Sequence, residues 1–390
     1  MRYLYESFIR LKNFIIDVLD RFREIFSGMS FKDIGVILKD KYKEIRSQLQ
    51  DLKGTNWDLA QYHFVAGNFN DGIMRFRMLQ RSSYKVVESN YFIGRIYMEK
   101  ENYIKAKEHL NIYLASNNIE YRAEAEYCIK VMNNQEITSI PISIIKIKRD
   151  RLALNLSTAK IDESLLLRYY GIITILKSYF NPSSKVLEVV CYVGVFGRIF
   201  RETFAPNIQY FCGTEVGEKA AAVAKEMHSN NKQVYDSIQI LNSISDVSND
   251  QNLYSFIILP DTLRYCEDIT PMFIKIFASL QDNGICVLVT RIFNDEVPFS
   301  FSHCFSEDDT GNLKVVEVEK VDEVNASDTS MIDENNISGE NSTKSVFIGA
   351  IEEFSHNPRN LVNIAKSSGF EVKLSIQMAG DFALFVLQKS

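Results

Sequence analysis

Val186-Leu187-Glu188-Val189, followed by Val190-Cys191-Tyr192-Val193-Gly194, is the stretch whose reading decides the fold. The apolar run ending in an acid predicts a short buried strand, and the helical pattern from about Val195 predicts a helix entered directly from the turn. In a doubly wound parallel sheet, that first turn lies at the switch point where nucleotide-like ligands bind. Some 20 residues on, Gln209 to Cys212 reads as a second strand, Gly213-Thr214-Glu215-Val216 as its end, and Glu218 to Met227 as the helix behind it. An acid at that place accepts both hydrogen bonds of a ribose diol, which singles out Glu215. From Lys185 onward short apolar runs alternate with helical patterns, so the expected class is α/β with a Rossmann-like sheet, preceded by an all-helical part.

Four segments are expected. Residues 1–55 form an amphipathic helical lead-in, with Phe8, Leu11, Phe14, Ile15, Val18, Leu19 and Phe22 on one stripe. Residues 56–135 contain an internal repeat that appears on a shift of 34 positions. Ala60 then pairs with Gly94, His63 with Tyr97, Asn68 with Asn102, Phe69 with Tyr103, Gly72 with Ala106, and Phe76 with Leu110. That period belongs to helix-turn-helix repeats, with Gly67-Asn68 and Glu101-Asn102 as the turns and Arg122 to Met132 as a capping helix. Residues 136–184 are a linker broken at Ile140-Pro141 and an entry helix from Leu165 to Phe180; residues 185–390 are the α/β domain.

The repeat resembles the tetratricopeptide family, on Gly94, Tyr97, Asn102, Tyr103 and Ala106. The resemblance implies a surface for a protein partner; the alternative is that so short an array only packs on the following domain. The α/β part resembles class I S-adenosylmethionine-dependent methyltransferases, specifically those predicted to carry tetratricopeptide repeats before the catalytic domain. VLEVVCYVG is similar to that family's first motif and GTEVGEKAAAVAKE to its second strand and helix. SFIILPDTLRYCED and FASLQDNGICVLV are similar to its fourth and fifth strands, and EEFSHNPRNLVNIAKSSGFEVKLSIQMAGDFALFVLQK to its closing helix and antiparallel hairpin.

What the resemblance implies is a domain that binds S-adenosylmethionine and methylates a protein or small molecule. Glu188, Val190, Tyr192, Gly194, Glu215, Val216 and Ser243 stand at the family's cofactor positions, and Asp261, Tyr265 and His356 at its acceptor side. The family's acid-x-Gly-x-Gly-x-Gly has glycine here only at Gly194, with Val190 and Tyr192 at the other two places. Those glycines allow a sharp turn against the cofactor, which β-branched and aromatic side chains oppose. Ser243 and Ser255 replace acids of the family pattern. Two other functions therefore remain open: a methyltransferase-fold scaffold without activity, and, on Gly194, Gly197 and Glu215, a dinucleotide-binding oxidoreductase. Asp261 has a second reading as the cap of a helix beginning at Thr262, and His356 as an ordered residue with a backbone hydrogen bond.

Composition narrows the classes of function. The net charge of −6 is uneven: residues 303–344 hold eleven acids against three lysines, a local −8, which leaves +2 on everything else. No basic nucleic-acid footprint exists. The acidic, Ser- and Asn-rich segment 303–344 is expected to be a solvated, partly disordered insertion, in which VVEVEKV has the pattern of one strand. Six dispersed cysteines without a CxxC pair predict reduced thiols, no metal and a cytoplasmic protein. No apolar run is long enough for a membrane span.

Overall fold

The helices of the N-terminal part follow from the repeat. The computed structural model describes residues 52–155, 163–180, 184–248, 250–251, 253–293, 299–307, 313–317, 345–348, 353–378 and 381–390. The lead-in expected before residue 52 lies outside them. Helices α1 (Leu52–Ala66) and α2 (Phe69–Arg81) recur 34 residues on as α3 (Val86–Glu99) and α4 (Tyr103–Leu114), and α5 (Arg122–Met132) closes the stack. The turn between α1 and α2 uses Gly67 at φ +82°, and the equivalent Glu101 takes φ 57°. Asn102 caps α4 by accepting from the Lys105 amide. Gly94 is needed for space, since a Cβ there would sit 2.7 Å from Leu110 Cγ and 3.2 Å from the Ala106 carbonyl. Trp57, Phe76 and Phe92 fill the interior, with Phe76 and Phe92 stacked at 4.9 Å.

Two helices follow instead of the single one expected. Between the Pro141 break and the entry helix α7 (Glu163–Leu176), the chain forms α6 (Ile142–Leu154), a segment the sequence reading treats as linker. Ile144 and Ile145 of α6 are buried and join one apolar cluster that runs from Trp57 through the repeats to Leu187 and Val189 of the sheet.

That sheet has strands β1 (Ser184–Glu188), β2 (Ile208–Glu215), β5 (Ser237–Ile240), β6 (Tyr254–Leu259), β7 (Leu280–Arg291), β12 (Phe370–Met378) and β13 (Phe382–Lys389). Two-residue strands β3 (His228–Ser229) and β4 (Lys232–Gln233) make a separate hairpin. The spatial order is β5-β2-β1-β6-β7-β13-β12, continued by β8 (His303–Glu307) and β9 (Leu313–Glu317). Among the first seven, only β13 runs against its neighbours. Helices cover both faces, so the central strands are apolar on both sides. Val186, Phe211 and Ile258 meet α8 (Val195–Phe204), while Leu187, Cys212 and Ile257 lie on the face of α10 (Thr270–Ser279) and α11 (Pro358–Ser367). Helix α9 (Glu218–Lys225) follows β2.

The acidic segment is more structured at its start than its composition implies, and the chain just after it is a strand. β8 (His303–Glu307) and β9 (Leu313–Glu317) form a hairpin that extends the sheet beyond β12, and β10 (Ser345–Ile348) pairs with β11 (Glu353–His356). A hairpin at a sheet's end tolerates charges that a central strand would not. Residues 318–344 lie outside the described residues.

Candidate functional site

Six of the ten residues singled out in the sequence meet at the carboxyl ends of β1 and β2. The chain leaves β1 at Glu188, makes a turn closed by Gly194 N–H donating to Cys191 O at 3.0 Å, and enters α8 with Gly194 as its N-cap. Val190, Tyr192 and Gly194 have φ of 58°, 60° and 84°. The turn therefore keeps a backbone suited to three glycines, with a valine and a tyrosine held in the left-handed region at two of them. Thr214 helps to hold it, accepting from Val190 N at 3.2 Å on its hydroxyl and from Cys191 N at 2.7 Å on its carbonyl.

Glu188 is only 1% exposed. Burial raises its carboxyl from the usual 4.5 to about 8, against the hydrogen bond from Tyr235 and the charge of Arg149, which lower it. The Tyr235 hydroxyl donates to Glu188 Oε2 at 2.7 Å. Tyr235 also passes under the turn so closely that a Cβ on Gly197 would run into its hydroxyl.

Glu215, the acid expected to face a ribose, is fully buried, and an arginine of α6 occupies it. Arg149 Nη2 donates to Oε2 at 2.9 Å and Nε to Oε1 at 3.3 Å. Nη2 also reaches Val190 O at 3.0 Å, and the guanidinium lies 3.9 Å over the Tyr192 ring. Burial is the largest influence and opposes the charge on Arg149, but the charge and hydrogen bond of Glu215 together with Tyr265 and Tyr192 outweigh it, and the guanidinium's pKa is raised. The carboxylate further accepts the amides of Val216 (2.8 Å) and Gly217 (3.2 Å) on Oε1 and of Tyr192 (2.6 Å) on Oε2. Five donors share a group with about four acceptor positions. Val216 is buried beside it.

Ser243 and His356 do not join this cluster, whereas Tyr265 and Asp261 border it, near enough to act electrostatically on Tyr192, and Tyr265 on Arg149 as well. Ser243 accepts from Ser245 N at 3.3 Å, capping the short 3-10 turn Ile244–Asp246. Asp261 pairs with Arg264 at 2.6 Å, and no side-chain cap bond forms at the 3-10 turn Leu263–Tyr265, so the expected helix cap is replaced by an ion pair. Arg264 bridges onward to Glu353 at 2.8 Å and lies 5.1 Å over the Tyr265 ring. His356, 1% exposed, donates from Nε2 to Leu263 O at 3.0 Å; burial lowers its pKa, so it is a neutral brace for this loop.

S-adenosylmethionine, the donor that the resemblance implies, does not fit the residues as arranged. The backbone frame suits it, but the acid that would take its ribose hydroxyls has no acceptor position left, and the Tyr192 ring with its covering guanidinium stands beside it. Sequence reasoning missed Arg149 and Tyr235. The only available signal for Arg149 is its place in the Arg149-Asp150-Arg151 run beside buried isoleucines.

No group of His, Cys, Asp or Glu able to hold a metal occurs among the described residues, and none of their helices is long and apolar enough to cross a membrane. No protein-family model and no curated protein matches the chain. Solved structures similar to it include S-adenosylmethionine-dependent methyltransferases. One, from Aquifex aeolicus, has 12% identity and a TM-score of 0.39, with 65% of this chain and 100% of that one covered. N-methyltransferase NodS from Bradyrhizobium japonicum WM9, in complex with S-adenosylhomocysteine, has 14% identity and a TM-score of 0.39, covering 63% and 97%. The 1,6-didemethyltoxoflavin-N1-methyltransferase of Burkholderia thailandensis, bound to 1,6-didemethyltoxoflavin and S-adenosylhomocysteine, has 9% identity and a TM-score of 0.38, covering 66% and 93%.

Proposed function

We propose that the chain is a class I S-adenosylmethionine-dependent methyltransferase whose donor site is shut in the conformation described, with tetratricopeptide-like repeats that take a protein partner in the cytoplasm. The observation that carries the reading is the frame at β1 and β2: three left-handed residues between Glu188 and α8, with the Glu215 carboxylate gathering the Tyr192 amide of the same turn. An acid at that place has a ribose diol as its natural ligand. Methyl transfer from a sulfonium mainly requires alignment of donor and acceptor, so no general base is asked of the side chains.

Specific features favour a second reading, a scaffold that has lost the donor. They are the side chains on Val190 and Tyr192 and the fully engaged Glu215. Calorimetry of the full chain with S-adenosylmethionine and with S-adenosylhomocysteine separates the two. Micromolar binding by the wild-type chain supports the methyltransferase, whereas binding that appears only in a Val190→Gly/Tyr192→Gly variant means that the natural turn is defective and supports the scaffold. No heat at millimolar ligand in either protein supports the scaffold.

A further inference from the structure

We infer that α6 is an autoinhibitory strap, by which the helical repeats hold Arg149 on the carboxylate that a donor needs. The ligand arm of this inference rests on the donor reading above; its structural arm does not. Three consecutive side chains carry it, and because successive helical residues are turned by about 100°, they reach three different places. Arg149 takes Glu215 and Val190 O. Asp150 Oδ1 accepts the amides of Lys219 (2.9 Å) and Ala220 (3.1 Å), capping α9 where its own N-cap residue, Gly217, offers no side chain. Arg151 donates to the last carbonyls of α1, Nε to Val65 O at 3.2 Å and Nη2 to Phe64 O at 3.4 Å, and pairs with Glu99 of α3 at 3.0 Å. One turn later, Asn155 Nδ2 donates to Ala66 O at 3.1 Å.

The strap lies in a recess that only glycine leaves open. A Cβ on Gly217 would sit 2.5 Å from Asp150 Oδ1 and 3.1 Å from Arg149 Cβ, and the residue's φ of −85° means that space, not backbone freedom, is what glycine provides. Ligand hydroxyls and the guanidinium compete for the same oxygens, so binding requires Arg149 to leave. Any change that loosens α6 then raises the competent fraction, and with it the apparent affinity. Arg149 is thus an internal occupant of the site, and Arg151 and Asn155 are positioning residues that act through it.

The test compares the full wild-type chain with Arg151→Ala, Asn155→Ala and Gly217→Ala. The first two touch the repeats and not the donor turn; the third pushes the strap from beneath. Hydrogen exchange at the amides of residues 189–195 and 215–217 is expected to speed up by about tenfold in each variant that folds. Affinity for S-adenosylhomocysteine is expected to rise by about tenfold, which a merely structural contact would not produce on removal. Unchanged exchange in the folded variants overturns the strap, whether or not the ligand binds. Faster exchange with no ligand bound by any protein upholds the strap and overturns the donor reading instead.

Discussion

Val190 and Tyr192 hold backbone angles that side chains resist, and Val190 is also well buried. The left-handed conformation costs about 1–2 kcal/mol, while burying a valine side chain contributes roughly 1.5–3 kcal/mol. The two terms nearly offset each other. Val190→Gly is therefore expected to change stability by less than about 1.5 kcal/mol, whereas Val186→Gly, at an ordinary strand position of the same burial class, should lose about 3 kcal/mol or more. Denaturant unfolding of both variants checks this, and equal losses would remove the strain argument. At Glu188 the prediction concerns pH. The folded protein holds a proton up to about 8 that the unfolded chain releases near 4.5, so stability present below pH 4.5 is lost as pH rises towards 8. Glu188→Gln cannot ionise, and its melting temperature relative to wild type should climb between pH 5 and 8; parallel curves would contradict the assignment. Both acids of the site were legible in the sequence because each ends an apolar strand. Arg149 was not, since a charged side chain reads as solvated until a partner 66 positions away covers it.

Helices α3 and α4 pack closely at Gly94. Ala at that place meets Leu110 Cγ and the Ala106 backbone, and pushing α4 away should cost about 1–3 kcal/mol. Gly72, on α2 of the first hairpin, is crowded by the tip of Ile96 Cδ1 at 3.1 Å, which can turn aside, while the Phe64 and Ala60 backbone lies at ordinary contact distance. There the helix propensity of alanine, worth up to about 1 kcal/mol over glycine, is expected to prevail. Urea midpoints should thus move in opposite directions for Gly94→Ala and Gly72→Ala. The elements themselves were largely legible: a shift of 34 reproduces the starts of α3 and α4, and the strand-helix alternation after Lys185 gives β1, β2, β6 and β7. The VVEVEKV pattern also marked β9, but helix α6 and strand β8 were not legible, for a common reason. In each, charged residues interrupt the apolar pattern, and the interactions that fix the segment, Glu215 for α6 and the β12 edge for β8, come from far along the chain.

Across the whole molecule, the Arg149–Glu215 pair ties a connector helix to the carboxyl end of β2, with both partners nearly inaccessible to water. Removing one charge strands the other in a low-dielectric interior. Arg149→Met is accordingly expected to lose about 3–5 kcal/mol, and the double variant Arg149→Met/Glu215→Gln to be more stable than that single one. A chemical-denaturation cycle measures the difference; a double variant no better than Arg149→Met would mean that the guanidinium contributes through packing on Tyr192 rather than through charge. The same tie bears on ancestry. Because one apolar interior runs from Trp57 through Ile144 and Ile145 to Leu187 and Val189, the repeats and the sheet are not cargo and carrier that recombination can part. A descendant that inherited the sheet alone would begin life with part of that interior facing water, so lineages that shed the repeats would have to rewrite that face at the same time.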